Sequence, residues 1–144
     1  MNIYDIRNTE IKELVELCEL HAEFEGSDYD RTDKVNKLRS DIINSNIIKC
    51  LVLVSADSSK LYGYCTYIKQ YSTWDASWYN YMDCLYLREE VRGMGWGTKF
   101  IDVIKKDGLS IQWQTPISNL RAIEFYNKIG AVSTAKERYK LILE

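Results

Sequence analysis

Between Leu85 and Thr98 the chain reads Leu-Tyr-Leu-Arg-Glu-Glu-Val-Arg-Gly-Met-Gly-Trp-Gly-Thr. An apolar strand runs into a glycine cluster that opens a helix. The first N–H groups of a helix have no intrahelical partner, and the macrodipole adds positive potential there. Glycines let a ligand approach the main chain, so such a turn suits a phosphate or pyrophosphate. Two phosphate-binding patterns fail on spacing. Counted from Gly93, a Walker loop meets Thr98 where its second glycine belongs, and a dinucleotide G-x-G-x-x-G meets Thr98 in place of its third. The dinucleotide pattern also opens a βαβ unit, whereas this segment follows several antiparallel-looking strands. A third spacing, Arg/Gln-x-x-Gly-x-Gly/Ala, is matched by Arg92, Gly95 and Gly97. A plain helix-capping turn is the other reading of the same glycines.

Composition sets the frame for that turn. The 144 residues are 46% hydrophobic and 28% charged with one proline, which describes a globule with a real core and favours a single domain over 1–144. A formal charge of −2 gives no support to nucleic-acid or membrane-surface binding. The longest strongly apolar stretch, Cys50–Val54, is too short to span a bilayer. The N-terminus lacks a basic region followed by an apolar stretch, so the expected location is cytoplasmic. Cys18, Cys50, Cys65 and Cys84 contain no C-x-x-C pair and read as reduced, mostly buried thiols. His21 is the only histidine, which removes histidine-rich metal chemistry; no metal is expected.

Periodicity orders the elements. Ile3 to Arg7 alternates as a strand, and Asn8 is placed to cap a helix that buries Ile11, Leu14, Val15, Cys18 and Ala22. The acidic run from Glu23 to Asp30 breaks it, and a second amphipathic helix starts near Thr32. Strands follow at Ile47–Ala56, Leu61–Tyr71 and Tyr79–Leu87, then a helix from about Gly97 to Lys106. A strand at Leu109–Thr115, a helix from Asn119 to the C-cap Gly130, and a strand at Tyr139–Leu143 complete the order. The predicted fold is α/β, or α+β, with a mixed sheet.

The segment Asn119-Leu120-Arg121-Ala122-Ile123-Glu124-Phe125-Tyr126-Asn127-Lys128-Ile129-Gly130-Ala131 resembles the N-x-x-A-x-x-F-Y-x-x-x-G-A/F signature of the GCN5-related N-acetyltransferases (GNAT). Clear similarity covers roughly residues 83 to 131 when the glycine turn is included. The resemblance implies a mixed sheet of six to seven strands with about four helices, and pantetheine lying between the fourth and fifth strands. It also implies direct attack of an amine on the thioester of acetyl-CoA. Amides of Gly93, Met94, Gly95, Trp96, Gly97 and Thr98 would hold the pyrophosphate, helped by the Arg92 side chain. Main-chain groups of Leu85, Tyr86 and Leu87 would pair with pantetheine like an added strand. Asn119 and Tyr126 are seven apart, on nearly one helical face and roughly 10 Å apart along the axis, so one ligand could touch both.

Tyr126 stands at the family's general-acid position, and Asp83 is the nearest acid for the base. Met82 occupies a position that is often acidic, and a water chain to solvent is the alternative base. Glu89, where proline is common, and the bulky Trp96 also depart from the pattern. Glu23, Glu25, Asp28 and Asp30 fall where relatives form one wall of the acceptor site, and Asp75, Trp74 and Trp78 follow later. Carboxylates with aromatic faces suit a cationic amine, a layout resembling the diamine and polyamine acetyltransferases. A solvated acidic loop is the other reading of that run. The expected acceptor is a small amine, a polyamine first, with an aminoglycoside-like or peptide amine, or a non-catalytic acyl-CoA-binding role, as alternatives. Relatives often form homodimers. His21 and Cys84 read as structural.

Overall fold

The computed structural model describes residues 1–143. The chain forms two compact units, Met1–Gln114 and Thr115–Glu144. In the first unit β1 (Asn2–Asp5) leads through a 3-10 turn to α1 (Ile11–Phe24). The short α2 (Lys34–Leu38) runs into a π turn, and β2 (Lys49–Val54), β3 (Leu61–Ser72) and β4 (Ser77–Leu87) follow. Then come α3 (Trp96–Ile104) and β5 (Ile111–Gln112). The strand order is β1-β2-β3-β4-β5, antiparallel up to β4 and parallel between β4 and β5.

The sheet holds its shape because β2 is apolar on both sides. Val52 and Val54 join Ile11, Leu14 and Leu17 of α1 and Tyr64 of β3 in one cluster. Leu51 and Leu53, also buried, alternate to the opposite face. Helix α3 buries Phe100, Ile101 and Ile104. Burying one such side chain stabilises by about 1.5–3 kcal/mol.

The start of α1 differs from expectation. Asn8 caps nothing; its Oδ1 accepts from Arg39 Nε at 2.7 Å. Glu10 closes the helix start instead, its Oε1 accepting the Arg7 N–H at 2.9 Å and its Oε2 the Tyr4 hydroxyl at 2.7 Å. Glu10 reaches both because the 3-10 turn tightens the chain by one residue.

Five strands form among the described residues, against six to seven expected. The predicted Leu109–Thr115 strand shrinks to two residues, and Tyr139–Leu143 takes no regular structure. In the second unit the described residues form one helix, α4 (Leu120–Lys128), and no strand. Asn119 caps α4, its Oδ1 accepting from Ala122 N at 3.2 Å.

Candidate functional site

The site grows from the irregularities of β4. Cys84 stands opposite Thr66 and Met82 opposite Tyr67, which leaves Asp83 as one extra residue in a bulge. A bulge bends its strand and increases the local twist. Strand β5 pairs with β4 only at Asn80 and Tyr81, so among the described residues no strand pairs with that edge of β4 from Met82 to Leu87. Arg88 N–H donates to Tyr62 O at 2.8 Å, so peptide groups of the same parity, including those of Tyr86, turn toward β3. The main-chain groups of Leu85 and Leu87 therefore face the open edge. The main-chain groups of Tyr86 turn toward β3, and its buried ring lies against His21 of α1.

Past Leu87 a 3-10 turn (Glu89–Val91) leads into the glycine turn. Gly93 and Gly95 hold φ of 76° and 86°, left-handed values that favour glycine. Gly95 is the N-cap of α3, so Trp96, Gly97 and Thr98 are its first residues, with amides free of intrahelical partners. A Cβ added at Gly93 or Gly95 would meet nothing within 4 Å, which leaves space over the turn for a ligand. An exposed glycine turn at a helix start, lying at the end of a strand edge, has the geometry to hold a long molecule with a diphosphate at one end and amides at the other. Acetyl-CoA has that shape.

The Arg92 side chain turns back toward β4 and α1. Its Nε donates to Leu87 O at 2.9 Å, and the guanidinium lies 4.5 Å from the Phe24 ring centroid and 5.4 Å from that of Tyr86. A second cation, which the sequence reading passed over, stands at the turn: Lys99 Nζ lies 4.1 Å over the Trp96 ring. Its spacing of three residues from Trp96 was the available signal.

On the α1 side of the bulge lies a polar network. His21 Nδ1 is 2.7 Å from the Tyr64 hydroxyl, His21 Nε2 is 3.1 Å from Glu25 Oε2, and the imidazole stacks on Tyr86 at 5.1 Å. Cys84 Sγ donates to Asp83 Oδ2 at 3.5 Å. Burial, then the neighbouring Asp83 charge, pushes the Cys84 thiol up to about 12. Burial and then Cys18 push Tyr29 up to about 12. All four cysteines are free thiols, Cys50 and Cys65 fully buried.

The expected acceptor residues do not converge. Glu25 is tied to His21 beside Tyr86, and Glu23 is exposed nearby at the end of α1. Asp75 belongs to the β3–β4 hairpin tip, its N–H donating to Ser72 Oγ at 3.1 Å. Trp78 packs against Tyr71 at 5.1 Å, and Trp74 is 96% exposed. From Tyr86 to the start of β4 the strand runs roughly 30 Å, so Glu25 and Asp75 sit far apart. In the second unit, Asn119 acts as a helix cap and Tyr126 lies beside Phe125, with ring centroids 5.3 Å apart. Among the described residues no group of three or more His, Cys, Asp or Glu could hold a metal, and no helix is long and apolar enough to cross a membrane.

Comparison with known proteins extends the geometry. The structure superposes on a possible acetyltransferase from Clostridium difficile 630 with a TM-score of 0.81, at 17% identity over 99% of this chain and 97% of that one. A transcriptional regulator from Bacillus halodurans C-125 gives 0.81 at 16% identity, covering 98% and 99%. An aminoglycoside acetyltransferase from an uncultured soil metagenomic sample, in complex with sisomicin, gives 0.78 at 15% identity, covering 99% and 96%. These likenesses establish a shared fold. No curated protein matches by sequence. Residues 11–131 match the sequence profile of the Acetyltransferase (GNAT) family, most of the chain, and the chain therefore belongs to that family of acetyltransferases.

Proposed function

We propose that this protein transfers the acetyl group of acetyl-CoA to a primary amine of a small cationic acceptor, a diamine or polyamine first. The observation that carries this reading is the open edge of β4 ending in a left-handed glycine turn at the N-terminus of α3. Pantetheine amides pair with Leu85 and Leu87, and the turn from Gly93 to Thr98 takes the diphosphate. An N–H of Leu85 or Leu87 polarises the thioester oxygen as charge develops.

The amine nitrogen forms the new C–N bond while the C–S bond breaks. The acceptor's ammonium first gives a proton to Asp83, whose place in the bulge supports that role. Tyr126 gives a proton to the departing sulfur, a transfer uphill by about 1.5 pKa units since a phenol titrates near 10 and a thiol near 8.5, and its phenolate then takes the second proton from the acylated nitrogen, leaving a neutral amide and the CoA thiol. The acidic and aromatic residues Glu23, Glu25, Asp75 and Trp78 favour a cation, though Glu25 and Asp75 serve different ends of the hairpin. An aminoglycoside amine is the second reading, favoured by the sisomicin-bound neighbour of the same fold. The whole of 1–144 acts as one transferase unit, in the cytoplasm, as a homodimer.

The test is a turnover screen that follows thiol release from acetyl-CoA with putrescine, spermidine, an aminoglycoside, amino acids and a peptide. Turnover with putrescine or spermidine is expected. Reaction with the peptide alone would remove the cationic small-molecule acceptor. CoA binding without turnover on any acceptor would leave a non-catalytic acyl-CoA-binding protein.

A further inference from the structure

Arg92 joins three elements. Its Nε bond to Leu87 O, 2.9 Å long, bridges the two ends of the excursion 88–91. That bond fixes where the chain leaves β4 and where it enters the glycine turn. The flat face of the guanidinium lies against Phe24 and Tyr86, whose rings meet edge to face at 6.3 Å. Tyr86 is buried, 8% exposed and stacked on His21. Phe24 is different. It is the last residue of α1, 46% exposed, and Arg92 and Tyr86 are its ring neighbours. An exposed phenyl held against a guanidinium by two aromatic contacts restrains that guanidinium more than it adds to the core.

We propose that Phe24 is a positioning residue for the donor turn, acting through Arg92. The aromatic clasp holds the guanidinium flat, the guanidinium holds Leu87 O, and Leu87 with Arg92 sets the direction of Gly93 to Trp96. The end of α1, which also carries Glu23 and Glu25, is thereby joined mechanically to the segment that receives the diphosphate. The glycines make this restraint necessary, because a turn with two glycines at positive φ has few side chains of its own to rigidify it. The part concerning the donor rests on the reading of this turn as the acetyl-CoA site; the restraint itself does not.

The experiment compares Phe24→Leu, which keeps an apolar side chain without a π face, with Phe24→Tyr, which keeps the ring. Two quantities are measured: the Kd for CoA, and the NMR order parameters of the Gly93 and Gly95 amides in the ligand-free protein. Phe24→Leu is expected to raise the Kd about fivefold, the scale of one exposed cation–π contact. It should also lower the glycine order parameters from about 0.85 toward 0.6. Phe24→Tyr should restore both. In an Arg92→Met background, Phe24→Leu should change neither, because the intermediary is gone.

A Kd within twofold of the parent, or order parameters that do not move, overturns the proposal. So does a Phe24→Leu effect that persists at full size without Arg92, which would make Phe24 a direct contact or a simple core residue. If the parent protein binds no CoA, the donor-site reading fails, and the order parameters alone then decide whether the clasp exists.

Discussion

His21 Nδ1 and the Tyr64 hydroxyl lie 2.7 Å apart, joining the last turn of α1 to the middle of β3. Glu25 Oε2, 3.1 Å from Nε2, can only accept when ionised, so Nε2 carries a proton and the ring is held between Glu25 and Tyr64. Tyr64 is 2% exposed, and without the imidazole its hydroxyl keeps only weak thiol partners, Cys18 and Cys84. His21→Ala should therefore cost about 1–3 kcal/mol, the penalty for orphaning a buried polar group. Urea denaturation measures it. Tyr64→Phe on top of His21→Ala should cost less than Tyr64→Phe alone; strictly additive losses would show that the pair is not coupled.

The same pair marks where sequence reading stops. The first four strands, the helices α1 and α3 and the glycine turn announce themselves through local periodicity and spacing and lie within a few residues of expectation, whereas the two last expected strands shrink to Ile111–Gln112 or do not form among the described residues. His21 gave only its place at the edge of an apolar face; its partners come from β3 and from a residue four further on. The bulge at Asp83 depends on a register between β3 and β4 that no single strand encodes. Arg92 matched the motif, but the direction of its side chain is set by Phe24, 68 residues earlier. The acidic and aromatic residues were grouped by charge and type, and the length of β4 separates Glu25 from Asp75 and Trp78.

Tyr126→Phe tests the proposed proton return to sulfur. The substitution removes one hydroxyl and keeps the ring that packs beside Phe125. General-acid catalysis of this kind contributes about 10²–10⁴-fold, so kcat should fall by about a hundredfold or more while the Kd for CoA stays near the parent value. Unchanged turnover would assign the proton to water. Lost CoA binding would make Tyr126 a donor contact.

The buried thiols predict an alkaline limit to stability. Burial holds Cys84 near 12 in the folded chain, against about 8.5 for a free cysteine. Above the unfolded value the unfolded chain releases this proton while the folded chain keeps it, so folding loses stability as pH rises. The contribution is fully present below about pH 8.5 and declines from there toward about 12. Cys84→Ala should make the fall shallower by up to about 1.4 kcal/mol per pH unit, read from denaturation midpoints between pH 9 and about 11. An identical slope in parent and variant would mean that Cys84 titrates freely.

Gly63 and Gly95 should both resist alanine, for opposite reasons. At Gly63 the obstacle is space: a Cβ would meet Leu87 Cδ2 at 2.7 Å and Tyr86 O at 2.8 Å. One of these is backbone, so β3 and β4 must move apart just where Leu87 presents its peptide groups to the open edge. Overpacking of this kind costs about 1–3 kcal/mol. At Gly95 there is room, and the obstacle is the backbone, with φ of 86°. Left-handed conformation costs a residue with a Cβ about 1–2 kcal/mol. Asparagine tolerates that conformation better than alanine, so Gly95→Asn should recover part of the Gly95→Ala loss, whereas Gly63→Asn should be worse than Gly63→Ala. Denaturant titration of the four variants reads the ordering, and CoA affinity should fall in Gly63→Ala because the pairing edge has shifted. Equal penalties for alanine and asparagine at both positions would contradict the distinction between lack of space and backbone strain.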